Sequence, residues 1–357
     1  MRYLFTIQGE GRGHLTQSIA LSSYLRSEGH EVVAAIVGSS GERKLPKFFY
    51  DKIGTPVTEI FSPNFVFDKK HKGVLLWTSI AKNLLAWRKT TSSLKSLKMA
   101  VERHQPDAVI SFFEPLTGLL YGLHQPKPPL FCIGHQYLSL RADFPFPKHS
   151  EGQQRLMHFF TRLTSWNAHK RLALSFDKLP DQPEDKLFVV PPLLRQEIFS
   201  KTPEKSGGFL IYILNHGYSE EIIAWKKNNA NIDLDVFWDN FDKPDGYSPT
   251  PGLIFYHIND ELFLEKLRCC TAYASTAGFE SICEAAYFDK PIMLVPSHNH
   301  FEQRGNALDA ERCGLGIGRQ KFMLDDLLHL TKTRPNGNRV FKAWVDSSKE
   351  LFLSHLK

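Results

Sequence analysis

Residues 274–316 read ASTAGFESICEAAYFDKPIMLVPSHNHFEQRGNALDAERCGLG, and no other stretch constrains the fold as strongly. Small residues at Ser275–Gly278 form a turn, and Phe279–Tyr287 is amphipathic at helical spacing. Pro291 and Pro296 then bracket the apolar run Ile292–Val295. Turn, helix, buried strand and polar loop in that order make one unit of an open α/β sheet. A helix starting at Gly278 aims free backbone N–H groups and its positive dipole end at whatever lies in front of it. Glu284 lies six residues inside this helix. Gln303 and Asn306 follow the next strand, at the sheet end where such folds hold ligands. An acid, two amides and a helix N-terminus suit a diphosphate that carries sugars.

The rest of the chain repeats the pattern. Strands are expected at Tyr3–Ile7, Glu31–Val37, Ala108–Phe113, Leu130–Ile133 and Lys186–Val190, with a helix over Leu15–Glu28. A second series follows at Phe209–Leu214, Ile232–Trp238, Leu253–Tyr256, Ala272–Ala274 and Ile292–Val295. Two doubly wound, Rossmann-like α/β units account for this, with helices between the strands. The 357 residues suffice for two domains. We expect a first domain over 1–190, a linker over 191–208 rich in Pro, Lys, Ser and Gly, and a second domain over 209–338. A final helical segment covers 339–357.

The matches over the opening stretch are Gly278, Ser281, Glu284, Lys290-Pro291, Pro296, Glu302-Gln303 and Asn306-Ala307. Spaced in this way, they resemble the donor-site signature of the GT-B nucleotide-sugar glycosyltransferases. That superfamily includes the UDP-glycosyltransferases and the lipid-linked N-acetylglucosaminyltransferase of peptidoglycan synthesis. The resemblance implies two domains facing across a cleft, with a C-terminal helix crossing back to the first. It also implies sugar transfer from a nucleotide-sugar substrate, a UDP-sugar by analogy, with inversion and without metal or cofactor. Glu284 would then hold the ribose hydroxyls, Ser275, Thr276, Ala277, Gly278 and Phe279 the diphosphate, and Glu302 with Gln303 the sugar. Asn306 would brace that loop or reach phosphate, and the backbone near Ile258 would meet the base. Two positions depart from the pattern: Thr276 stands where the plant enzymes have a pyrophosphate-binding His, and Asp289 where Gly is usual.

The turn GEGRGHL spaces Gly9, Gly11 and Gly13 two and two, and the second strand ends Ile36-Val37-Gly38-Ser39 without an acid. Both observations argue against a dinucleotide fold. In the similar enzymes a glycine loop before Gly-His, here Gly13-His14, is common; the resemblance puts Gly13 among the donor-binding residues and makes the His the general base. An imidazole suits that task because it titrates near neutrality. The Asp that orients such a His is Phe112 here; Glu114, two residues on, substitutes for it, contacts acceptor or caps the loop. The absent Asp keeps open a catalytically idle nucleotide-sugar-binding subunit. A UDP-sugar 2-epimerase of the same fold is a further alternative.

Composition narrows the remaining classes. Five cysteines without a CxxC pair speak against zinc ribbons and disulfide frameworks. The pair Asp233 and Asp235 resembles a metal-binding Asp-x-Asp but falls on one face of a strand, where solvated acids are ordinary. His298 and His300 flank Asn299 in a polar loop without further ligands in view. Residues 69–104 carry seven Lys and two Arg against one Glu, with Leu76, Ile80, Leu84 and Trp87 at helical spacing beside Lys82, Arg88 and Lys89. Such a helix either docks on an anionic membrane or packs with a solvated basic face. No nucleic-acid reader motif is present. A cytoplasmic protein is expected, with contact at the inner membrane face if the basic helix docks. The acceptor, a lipid or a small molecule, would lie against Glu114 and His135–Arg141.

Overall fold

The computed structural model of the chain describes residues 1–41, 44–63, 86–148, 150–213, 216–298, 300–334 and 338–357. Its first sheet contains β1 (Arg2–Gln8), β2 (Glu31–Ser39), β3 (Val57–Phe61), β4 (Ala108–Phe112), β5 (Leu130–Gly134), β6 (Lys170–Leu174) and β7 (Leu187–Val190). All neighbours are parallel, in the order β3-β2-β1-β4-β5-β6-β7. The second contains β8 (Phe209–Tyr212), β9 (Leu234–Trp238), β10 (Tyr247–Thr250), β11 (Leu253–His257), β12 (Ala272–Ser275), β13 (Ile292–Leu294) and β14 (Ile317–Gly318). Its order is β10-β11-β9-β8-β12-β13-β14, parallel except for the β10–β11 edge pair. Two doubly wound α/β sheets are therefore present, as the alternation of runs predicts.

Strand order reverses between β1 and β4 in the first sheet, and between β8 and β12 in the second. Loops leaving the carboxyl ends of these strands diverge to opposite faces, which opens a crevice at each reversal. The glycine turn and Phe113-Glu114 leave the first reversal; Thr276–Gly278 leaves the second.

Burial explains which strands the sequence reveals. The core of β1, β2, β4 and β5 is continuously buried, so they read as apolar runs. β3 is an exposed edge, β6 begins with Lys170-Arg171, β10 contains Pro249 at an edge, and β14 has only two residues. None of those four carries the apolar signal, and all four are missing from the expected set. The final segment is two helices, Arg339–Asp346 and Ser348–His355, rather than one, with Ser347 between them. It does return to the first sheet: Trp344 Nε1–H donates to Ser175 O, and Tyr3 Oη–H donates to Leu356 O.

After β7, residues Pro191–Arg195 are buried, and the short helix Gln196–Ser200 follows. Leu193, Leu194 and Ile198 join the apolar cluster that runs from Phe5 and Ile110 of the first sheet to Phe279 and Leu294 of the second. The first half of the segment joining the two sheets is thus part of the core, while residues 202–207 are exposed.

Candidate active site

The helix Phe279–Tyr287 starts from the end of β12, with Gly278 as its cap. No side chain caps that N-terminus, and Gly278 is exposed while Ser275–Ala277 are buried. The turn is held from behind. Thr276 N–H donates to Tyr212 O at 3.2 Å, Ala277 N–H to Ser275 Oγ at 3.3 Å, and Asn306 Nδ2 to Ala277 O at 3.0 Å. Ala277 has φ 59°, a left-handed conformation that costs a non-Gly residue energy and persists only where surroundings fix it. Asp289 has φ 55° at the position where the signature usually has Gly, so the geometry that favours glycine is kept without it.

The side chains around this turn divide into two groups. Ser275 and Asn306 brace it, whereas Gln303 holds the neighbouring loop after β13, its Oε1 accepting from Ser297 N–H at 2.8 Å. Phe279 turns away toward the first sheet, stacking on His135 at 4.0 Å and lying 4.8 Å from Phe176; its backbone N–H is what the turn presents. Glu284 is buried, and its Oε1 accepts from Arg195 Nε at 2.5 Å. Burial pushes its carboxyl up, and the Arg195 charge opposes that. Ile258 follows β11, a parallel neighbour of β9, so it sits at the same carboxyl edge as Gly278.

Across the crevice, the helix Arg12–Ser27 follows β1 and is capped by Gly11, again without a side-chain bond. Two uncapped helix N-termini therefore face each other. They lie side by side at Gly13, where a Cβ would lie 3.8 Å from Glu280 Cβ. His14 stacks on Phe113 at 5.8 Å, and its Nε2 lies 3.5 Å from Gln136 Nε2. Its Nδ1 is sealed from solvent and makes no hydrogen bond of full geometry; burial pushes the imidazole down to about 4, against a side-chain contact with Gln17 that raises it. It is therefore neutral at pH 7.

Glu114 does not meet His14. It caps the helix Pro115–His124, with Oε1 accepting from Leu116 N–H at 3.1 Å and Ser62 Oγ–H at 2.7 Å. Its carboxyl packs on Gly38, where any Cβ would collide with it. Burial first, then the nearby Glu10 charge, pushes it up to about 7, against the hydrogen bonds from Ser62 and Leu116. Of the sequence expectations for Glu114, the structure displays the cap. Phe112 is buried against Phe5 at 5.3 Å and cannot orient an imidazole.

Two hydrogen bonds span the crevice. Gln17 Nε2 donates to Glu280 Oε2 at 3.1 Å, and Gln136 Nε2 to Glu302 Oε1 at 3.0 Å. Burial pushes both carboxyls up. Each bond leaves an orphan: Gln17 Oε1, Gln136 Oε1 and Glu280 Oε1 are buried without partners, as is His14 Nδ1. Buried polar atoms are rarely left unpaired, so four in one crevice mark a place for hydroxyls or water. Gln17, Glu280 and Arg195 escape a reading of the sequence. Gln17 and Glu280 look like ordinary helix surface, and Arg195 meets Glu284 only through the fold.

The other polar candidates have structural partners. Asp235 pairs with Lys266 at 3.0 Å, and Asp233 lies 3.9 Å from Lys226. His300 caps the helix Phe301–Arg312, its Nδ1 accepting from Gln303 N–H at 3.3 Å, while His298 is exposed and Asn299 lies outside the described residues. Among the described residues, no three His, Cys, Asp or Glu side chains are grouped to hold a metal ion, and the five cysteines are free thiols. Of the basic segment, residues 69–85, including Leu76, Ile80, Lys82 and Leu84, lie outside the described residues. The helix Trp87–His104 packs by Ser93, Leu97 and Val101 and exposes Trp87, Arg88 and Lys89. No helix among the described residues is long and apolar enough to cross a membrane.

With this geometry in hand, the comparisons with known proteins define the class. Residues 1–334 match the family model described as glycosyl transferase family 1, and the chain belongs to that family. An uncharacterized glycosyltransferase of Methanosarcina acetivorans is 25% identical over 340 residues, spanning 88% of this chain and 85% of the relative. One from Methanosarcina mazei is 25% identical over 347 residues, with the same coverage. Among solved structures, the calicheamicin glycosyltransferase CalG4 superposes with a TM-score of 0.65 at 15% identity, covering 100% of this chain and 97% of that one. MurG of Acinetobacter baumannii gives 0.57 at 15% identity, covering 99% and 98%. Phytolacca americana UGT2, complexed with UDP-2fluoro-glucose and pterostilbene, gives 0.66 at 13% identity, covering 99% and 98%. The fold is the GT-B fold, and the protein is a glycosyltransferase.

Proposed function

We propose that the chain transfers a sugar, with inversion, from a UDP-sugar to an acceptor hydroxyl in the crevice between the two sheets. The observation that carries this is the meeting of two uncapped helix N-termini at Gly13 and Glu280, beside four unpartnered buried polar atoms. Uncapped N-termini attract a diphosphate, and the orphaned groups await hydroxyls. In this reading the backbone of Thr276–Phe279 stabilises the departing diphosphate, without metal or cofactor. Glu284 takes the ribose hydroxyls, the backbone at Ile258 meets the base, and Glu302 with Gln303 meets the sugar. Asn306 keeps the turn in shape. A protein of like fold is solved in complex with UDP-2fluoro-glucose, which supports the same donor chemistry here.

His14 accepts the acceptor's proton. A neutral imidazole has the protonation state a base requires, and the Gln136 amide N–H beside Nε2 favours the lone pair on that nitrogen. Without an acid behind it, its imidazolium is less stabilised than in a His–Asp pair, so the rate advantage is smaller. Glu114 supports the acceptor side as a cap. That weakened base also favours a second reading, a subunit that binds nucleotide-sugar without turnover. Incubation with radiolabelled UDP-sugars and lipid or small-molecule extracts separates the two: label moving to an acceptor supports transfer, and UDP binding with no labelled product from any extract contradicts it. Contact of Trp87, Arg88 and Lys89 with an anionic membrane at the cytoplasmic face belongs to this proposal if the acceptor is a lipid.

A further inference from the structure

Glu284 is the innermost member of an ion network that runs inward from the half-exposed Lys52 and Glu197. Arg195 Nε donates to Glu284 Oε1 at 2.5 Å and Arg195 Nη1 to Asp260 Oδ1 at 2.7 Å. Lys52 Nζ holds Glu197 Oε1 at 2.7 Å and approaches Asp260 Oδ2 at 3.7 Å. Side-chain exposure is 10% for Arg195 and 1% for Glu284, so this pair is shielded from solvent screening. Arg195 comes from the buried segment after β7, Lys52 from the first-half helix Lys47–Ile53, and Asp260 from the second-half helix Asp260–Cys269.

A carboxylate can accept hydrogen bonds from both hydroxyls of a ribose diol, whereas a protonated carboxyl must donate one of its own. Isolation in the core drives a carboxyl toward the protonated form. The groups facing Glu284 make this worse, with one exception. Asp260 and Glu197 push its proton affinity up, Glu280 lies on the same helix, and the Tyr273 ring comes from β12. Arg195 alone among these partners pulls it down, by charge and by hydrogen bond. Among the described residues Glu284 has no other hydrogen-bond partner, which leaves Oε2 for a ligand.

We propose that Arg195 is a positioning residue for nucleotide recognition, holding Glu284 ionised and turned so that its carboxylate accepts the ribose hydroxyls. This rests on the assignment of Glu284 to the ribose. It makes the segment between the two sheets part of the donor site, without itself touching the donor.

Calorimetric titration with UDP and with 2′,3′-dideoxy-UDP, from pH 5.5 to 9, tests it on wild type, Arg195→Met and Arg195→Lys. Wild type should prefer UDP by about tenfold or more, the scale of a charged hydrogen bond. Arg195→Met should lose most of that preference at pH 7 and regain it as pH rises and Glu284 ionises. Arg195→Lys restores a charge without the Nε geometry and should fall between. If Arg195→Met does not fold, judged by its melting curve, Arg195→Lys decides alone: a reduced preference with an upward-shifted pH midpoint supports the proposal, and a wild-type preference and midpoint overturn it. Equal weakening of both ligands with an unmoved pH profile would show that Arg195 is only a staple between the halves. Equal binding of both ligands by wild type would instead remove the ribose assignment beneath the proposal.

Discussion

The turn after β12 and the turn after β1 both open helices into the same crevice, yet they are built differently. The β12 turn is braced from behind by Ser275, Asn306 and Tyr212, with its exposed Gly278 backbone left for a ligand. The β1 side has His14 leaning on a phenyl ring, one long contact to Gln136 and an unpartnered Nδ1. A diphosphate needs a rigid array of N–H groups, fixed before binding. A base would have to exchange a proton with whatever acceptor arrives, and a ring held by one long contact and a stacked phenyl is less firmly fixed than the β12 turn.

If that contrast is right, damage on the two sides separates. His14→Ala should lower transfer by about 10²-fold or more, with UDP affinity nearly unchanged, because only the proton acceptor is lost. Steady-state rates alongside calorimetry check this; loss of UDP affinity would move His14 to the phosphate side and erase the contrast. Asn306→Ala should do the reverse. It leaves Ala277 O buried without its donor, a cost of about 1–3 kcal/mol, and the strained turn relaxes. UDP affinity should fall roughly tenfold, while transfer at saturating donor changes less. An unchanged affinity would mean the turn is held by its backbone alone.

Glu114 sharpens the comparison through pH. Its carboxyl is pushed up to about 7 in the fold, above its unfolded value. The stability this contributes is complete below the unfolded value and lost as pH rises through about 7. Glu114→Gln should therefore flatten the decline in Tm between pH 4.5 and 7.5, because an amide keeps the cap and cannot ionise. A variant with the same decline as wild type would show that the carboxyl does not titrate there. The smallest effect is expected far from the crevice. Arg88→Glu with Lys89→Glu should remove about 1 kcal/mol per charge from binding to anionic vesicles, and less at high salt. Transfer to a soluble acceptor should not change. If wild type binds neutral and anionic vesicles equally, or neither, the basic face is only solvated.

The same two sides explain what the sequence discloses. The β12 turn is encoded within about forty residues: β12, the helix after it, β13 and the first turns of the helix Phe301–Arg312 with Gln303 and Asn306 are consecutive, so their spacing carries the geometry. The buried runs of β1, β4 and β8 are legible for a similar reason, since a strand covered on both faces must be apolar throughout. The edge strands β3, β10 and β14 lack that constraint. Glu114 is visible as an acid near the right strand, but its cap becomes apparent only when Ser62 and Gly38 are brought beside it. The Gln17–Glu280 and Gln136–Glu302 bridges join residues 263 and 166 positions apart, and no local pattern encodes them. Nor does any encode Arg195 against Glu284, 89 positions away. The division of the terminal segment at Ser347 is equally silent, because both helices continue one amphipathic rhythm.

The central claim is that the helix at Gly278 and the buried Glu284 form a nucleotide site. Titration of UDP into wild type and Glu284→Ala, in matched buffers with and without EDTA, tests it most directly. Wild type should bind UDP with and without chelator, and its Tm should rise with UDP concentration by linkage. Glu284→Ala should lose about 1.5–3 kcal/mol of binding, the scale of a charged hydrogen bond, and most of that shift in Tm. Wild-type UDP affinity in a folded Glu284→Ala variant would contradict the account.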